Sequence, residues 1–197
     1  NLAYAEILAN MRLSLSSRVK SINDLSMFPE SMLFEEAFDD PVVFGRNNSQ
    51  RISQLVDTAD LSLREFDRAR DDISLALNSE DPWQRYWGLI VLSTFGEHDN
   101  RFIQKASGIA QSDDENLVRL RAIEFLALIG KENPSQLLPA LLASASNEVE
   151  ATIILNTAVL LRDFTNYEIQ IDSGMIPSSL SGTQLLNIDR RVNYLSS

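Results

Sequence analysis

Asp81-Pro82-Trp83-Gln84-Arg85-Tyr86-Trp87-Gly88-Leu89-Ile90-Val91-Leu92-Ser93-Thr94-Phe95-Gly96 aligns without gaps with Glu115-Asn116-Leu117-Val118-Arg119-Leu120-Arg121-Ala122-Ile123-Glu124-Phe125-Leu126-Ala127-Leu128-Ile129-Gly130. The offset is 34 residues throughout, so acid, Arg, small residue, Leu and Gly coincide at 81/115, 85/119, 88/122, 92/126 and 96/130. The physics of each position is readable. The acid caps a helix and meets its positive end. Arg one turn later can pair with that acid or with the acid of the next unit. Small Gly88 and Ala122 let neighbouring helices approach. Leu92, Phe95, Leu126 and Ile129 face a shared core, and Gly96 and Gly130 stop the helices. A third, looser copy starts at Glu148, with neither Arg nor Gly at the equivalent positions.

This pattern resembles the HEAT-type helical repeat, whose units cannot bury their apolar faces alone and therefore stack. The expected fold is all-α: a HEAT-like α-solenoid over residues 62–163, a helical N-terminal cap over 1–61, and an irregular C-terminal tail over 164–197 that wraps the end. Scarce Gly and the absence of Asn-Gly or Asp-Gly turns argue against strands.

Outward from the repeat, the spacing predicts a helix over about 2–15, a loop through Ser21-Ile22-Asn23-Asp24, and a short helix after Pro29 ended by Asp40-Pro41. A helix over Gln50 to Ala59 follows. Ser62-Leu63-Arg64-Glu65 fits a capping box opening a helix that runs to Asn78. Further helices are expected near 99–111, from Asn133-Pro134, and from Asn147 to Asp163. The tail should dock through Ile169, Ile171, Leu185, Leu186 and Tyr194, with a short helix near 184–195.

Bulk numbers narrow the function classes. The chain has 197 residues, 44% hydrophobic and 23% charged, ordinary values for a globular protein. Net charge is -11 and there is no Lys/Arg cluster, which disfavours nucleic acid and anionic membrane surfaces. No apolar run reaches the roughly 18 residues of a membrane span. Zero cysteine removes disulfides, thiolate nucleophiles and Cys-based metal sites, and fits a bacterial cytoplasm or periplasm equally.

The chemistry-bearing residues are few. His98 is the only histidine, and as a lone imidazole past a helix stop it reads as a solvated loop residue rather than a general base or metal ligand. Asp39-Asp40, Asp71-Asp72 and Asp113-Asp114 read as caps and solvated faces, because no D-x-D-x-D-G calcium loop occurs. Trp83, Tyr86 and Trp87 form the densest aromatic group. Trp83 and Trp87 are the candidate substrate-binding residues, as a sugar-stacking platform, against the plainer reading of inter-helix packing. No catalytic residue and no metal ligand is assigned.

Asp24-Leu25-Ser26-Met27-Phe28-Pro29-Glu30 resembles the D-x-x-F-x-P-E segment that follows the catalytic domain in bacterial sulfatases of the heparan N-sulfatase-like type. The later Asp81-Pro82-Trp83-Gln84-Arg85-Tyr86-Trp87-Gly88 resembles the D-P-x-x-R-Y-W-(A/G) stretch of their helical extension. The resemblance implies a non-catalytic C-terminal domain of an enzyme acting on sulfate esters or sulfamates, bracing its catalytic domain or shaping the substrate cleft. The partner implied is that domain, upstream in the same polypeptide, since the chain opens at Asn1 inside an apparent helix. The family's formylglycine motif, C/S-x-P-x-R, does not occur here, so no catalytic residue carries over. Calcium is expected only in the catalytic domain, and a bacterial sulfatase would be periplasmic or secreted. Alternatives are a free-standing HEAT-like scaffold that binds another protein, and a carbohydrate-binding module using Trp83 and Trp87.

Overall fold

The computed structural model describes residues 4–180 and 186–197, the side chain of Leu186 excepted. Among these residues the secondary structure is entirely helical: α1 Ala5–Ser21, α2 Glu30–Glu36, α3 Pro41–Asn47, α4 Ser49–Ala59, α5 Phe66–Leu77, α6 Pro82–Phe95, α7 Asn100–Ser112, α8 Asn116–Leu128, α9 Leu137–Leu142, α10 Glu148–Phe164 and α11 Leu186–Leu195.

Helices start where the caps say they should. Asp81 accepts from the Trp83 amide at 2.9 Å, Glu115 from Leu117 at 3.4 Å, and Asn147 from Glu150 at 2.9 Å. Each satisfies a first-turn N–H that has no intrahelical partner. Gly96 and Gly130 end α6 and the stretch after α8 at φ 74° and 70°, a left-handed conformation that costs glycine nothing. Aligned on their caps, the copies begin at 81, 115 and 147, so the third starts one residue earlier than the sequence pattern suggests, and its Arg position holds Ala151.

Helix α4 packs on α6, α6 on α8 and α8 on α10, while α5 lies against α6, α7 against α8, and α9 against α8 and α10. Gly88 is the reason α5 and α6 come close: a Cβ there would sit 3.1 Å from Leu77 Cδ2 and 3.3 Å from Ala76 Cβ. The core is continuous along the row. Leu89, Leu92, Leu117, Leu120, Ile123 and Leu126 are all within 1% of complete burial, with Phe95 and Ile129 packed half-buried at its edge.

Several boundaries differ from the sequence expectation. Asp40-Pro41 begins a helix instead of merely ending one: Asp40 caps α3 through the Val43 amide. The Ser62 capping box does not form. Helix α4 runs directly into a 3-10 turn over Asp60–Leu63, so no free first-turn amides await a cap, and the Ser62 hydroxyl donates back to the Ala59 carbonyl. Helix α5 starts only at Phe66, α9 only at Leu137, and α1 extends to Ser21. In the tail Ile169 and Ile171 are buried, and α11 docks on α10 through Ile188, Val192 and Leu195. Tyr194 stays half-exposed and donates from its hydroxyl to Asp163. Leu185 lies outside the described residues.

Candidate functional site

Two regions of the surface carry chemistry or exposed apolar area. One is a cleft of about 280 Å³ between α2 and the first turns of α6, α8 and α10. It exists because α2 reaches across the row to α10. The Glu35 carboxylate accepts from Asn147 Nδ2 at 2.6 Å and from the Ser146 hydroxyl at 3.1 Å, contacts more than 100 residues apart in sequence. Five carboxylates line the cleft: Glu35, Glu36, Asp114, Glu115 and Glu150. Burial pushes the Glu115 carboxyl above its ordinary value, and the charges of Glu150, Asp113 and Glu35 push the same way, opposed by the hydrogen bond from the Leu117 amide. Glu150 is 4% exposed and accepts from the Ser146 amide and hydroxyl at 2.6 and 2.7 Å.

The other region is the surface of residues 4–43. Among the described residues, eleven of the seventeen exposed large apolar side chains lie there, including Met11, Leu13, Leu15, Phe38 and Val42 at 60–73% exposure. Helix α1 buries no residue. Phe34 and Phe38 stack edge-on at 5.6 Å in the open.

The candidate residues named from sequence fall elsewhere. Trp83 is 5% exposed, packs edge-on to Tyr86 and is among the residues that line the acidic cleft. Trp87 is half-buried and its indole N–H donates to the Met27 carbonyl at 2.8 Å. The two rings form no open platform on which a sugar could stack. His98 stacks on Phe66 at 4.4 Å and meets Phe95 edge-on. Among the described residues no group of three or more His, Asp or Glu is placed to hold a metal ion, and no helix is long and apolar enough to cross a membrane.

The arginines of the repeat separate into different roles. Arg85 makes a two-pronged bond to Asp113 at 2.7 and 2.8 Å and also donates to the carbonyls of Ser79 and Glu80. Arg51 makes the same fork to Asp81. Arg51 precedes Arg85 by the repeat offset, a copy that the sequence reading missed because Asn47 stands where the later copies have an acid. Arg119 pairs with no carboxylate among the described residues; its Nε donates to the Ala110 carbonyl at 3.3 Å. The residue equivalent to Asp113 one repeat later is Asn147, which is neutral and already occupied as a cap. The acid pairs resolve likewise: Asp113 is an ion-pair partner, Asp72 holds Arg64, and Asp40 is a cap.

The segment Asp24–Glu30 is a structural plug. Asp24 caps a short 3-10 turn, Met27 and Phe28 are buried, and Arg51 sits over the Phe28 ring at 5.3 Å. The two stretches that carry the sulfatase resemblance therefore touch each other, through Trp87 and Met27. Comparisons of the chain with protein-family models, with curated proteins and with solved structures found no match.

Proposed function

We propose that this chain is a non-catalytic, HEAT-like helical-repeat domain that docks another folded domain on the surface of α1–α3. The observation that carries the reading is the concentration of exposed large apolar side chains before Phe44. Isolated apolar residues on a surface are ordinary, but contiguous apolar area on a small protein marks an interface. The repeat reading is supported by Arg51, Arg85 and Arg119 at one constant offset, and by α5 and α7 starting at Phe66 and Asn100, again 34 apart.

The docked domain, on this proposal, is a sulfatase-like catalytic domain of the same polypeptide. That identity rests on the resemblance of Asp24–Glu30 and Asp81–Gly88 alone. The docking itself rests on the exposed surface. An interdomain contact of this kind buries roughly 600–1,500 Å². The test is to express the proposed catalytic domain separately, mix it with this chain and size the mixture. Association at micromolar concentrations that is lost in a Phe34→Ser/Phe38→Ser variant supports docking. Two folded pieces that elute apart contradict it. An aryl sulfate turned over by this chain alone, with calcium present, contradicts the non-catalytic assignment.

A further inference from the structure

The row of helices α4, α6, α8 and α10 is closed differently at its two ends. At one end α11 lies on α10 and buries Ile188, Val192 and Leu195, while Asn187, Asp189, Arg190 and Asn193 face solvent. A polar outer side is what the last unit of a stacked row requires. At the other end α1 lies on α4. Val19 packs against the core there, Arg12 donates to the Leu63 carbonyl at 3.3 Å, and Lys20 pairs with Asp57.

The outer side of α1 is not polar. At about 100° of turn per residue, Ile7, Leu8, Met11, Leu15 and Arg18 share an arc of about 100°, with Lys20 opposite and Glu6 and Leu13 off it. The four apolar side chains of the arc are 49–66% exposed. Leu8, Met11, Leu15 and Arg18 stand alternately three and four residues apart, the heptad spacing with which one helix meets another. Every other helix of the row lies between two neighbours: α4 between α1 and α6, α6 between α4 and α8, α8 between α6 and α10, α10 between α8 and α11. The seam of α1 fits a second neighbour of the same kind.

Charge narrows that neighbour. Helix α1 carries Arg12, Arg18 and Lys20 against Glu6, on a chain of net charge -11. Arg12 and Lys20 are engaged on the α4 side, whereas the exposed Arg18 guanidinium has no ion pair or hydrogen bond among the described residues. Residues 24–43, which hold the rest of the exposed apolar area before Phe44, carry six acids and no cation. A carboxylate on an incoming helix is therefore drawn to α1 and repelled from α2. A second free copy of this chain fits less well. Two chains of charge -11 repel, and one pair of 17-residue helices offers less than the roughly 1,200–2,000 Å² of a stable interface between free partners.

We propose that a helix of the docked domain lies along the Ile7–Arg18 arc of α1, presenting apolar residues at heptad spacing and a carboxylate to Arg18. The inference rests on the docking reading and names the element that docks.

The test uses two synthetic helical peptides of about three heptads, with Leu along the seam, flanked by Glu in one and by Lys in the other; the charge of each keeps it from pairing with itself. An amide NMR titration of the full chain shows where each binds. The expected result is saturable shifts on α1 with the Glu peptide and weaker binding of the Lys peptide. Arg18→Glu removes no bond within the chain, so the fold stays. It should weaken the Glu peptide roughly three- to tenfold and strengthen the Lys peptide in like measure, because attraction becomes repulsion. Met11→Ser should weaken both. The proposal is overturned if the α1 signals do not move, if the shifts centre on α2 and α3, if the Lys peptide binds as well as the Glu peptide, or if Arg18→Glu leaves the preference unchanged. The docking reading fails separately. A catalytic domain that associates while neither peptide shifts α1 keeps docking and ends this inference. A Glu peptide that binds α1 while the domain elutes apart keeps the helical occupant and ends its assignment to that domain.

Discussion

The indole Nε1 of Trp87 donates to the backbone oxygen of Met27 at 2.8 Å, joining the middle of α6 to the buried plug that precedes α2. This bond makes the N-terminal segment and the repeat row one packed body. Met27 is 7% exposed, so its carbonyl has little access to water if the indole is removed. Trp87→Phe keeps most of the apolar volume and strands that acceptor. The expected loss is about 1–3 kcal/mol, the cost of a buried polar group left unpaired. Urea unfolding measures it. A loss near zero means the segment is not held through this bond.

Arg85 and Arg119 occupy the same repeat position and should behave differently. The Arg85–Asp113 fork has side chains 16% and 6% exposed, between the surface and buried limits of ion pairs. Arg85→Ala should cost about 1–3 kcal/mol, and a double-mutant cycle with Asp113→Ala should show strong coupling. Arg119→Ala loses only a bond to the Ala110 carbonyl and should cost about 0.5–1.5 kcal/mol. Equal losses at the two sites would contradict the structural distinction.

Glu115 links stability to pH. Its folded-state carboxyl is raised above the ordinary value, chiefly by burial. A carboxyl raised on folding binds its proton more tightly in the folded chain, so its ionisation destabilises the fold as pH rises through the raised value. Glu115→Gln retains an oxygen to accept from the Leu117 amide and removes the charge. The variant should therefore melt higher than the parent at pH 7. The difference should shrink as pH falls toward the ordinary carboxylate range, where the parent is protonated too. Thermal melts across that range check this, and a variant less stable than the parent at pH 7 contradicts it.

The repeat row was the most legible part of the fold. Asp81, Glu115, Gly96 and Gly130 mark helix ends by local chemistry that needs no tertiary context. Ser62 failed as a cap because the chain entering it was already helical, which a four-residue motif does not reveal. Arg51 was missed because a repeat is found by its identities, and Asn47 removed the leading one. The acidic cleft was invisible for a different reason. Its carboxylates come from α2, the turn before α8 and the first turn of α10, and α2 meets α10 only in three dimensions. Trp83 was singled out as a stacking ring, and the structure instead buries it against Tyr86.

The central claim is that the surface of α1–α3 is a docking face. Helix α1 contacts α4 yet buries no residue, so its exposed Ile7, Leu8, Met11, Leu13 and Leu15 are the side chains with most to gain from a partner. Hydrogen–deuterium exchange of this chain, alone and mixed with a sulfatase-like catalytic domain of the kind proposed as its partner, reads the claim residue by residue. The expected result is slowed exchange confined to residues 5–47, with α5 and α7 unchanged. Unchanged exchange throughout, or protection on α5 and α7 with none on α1–α3, would contradict it.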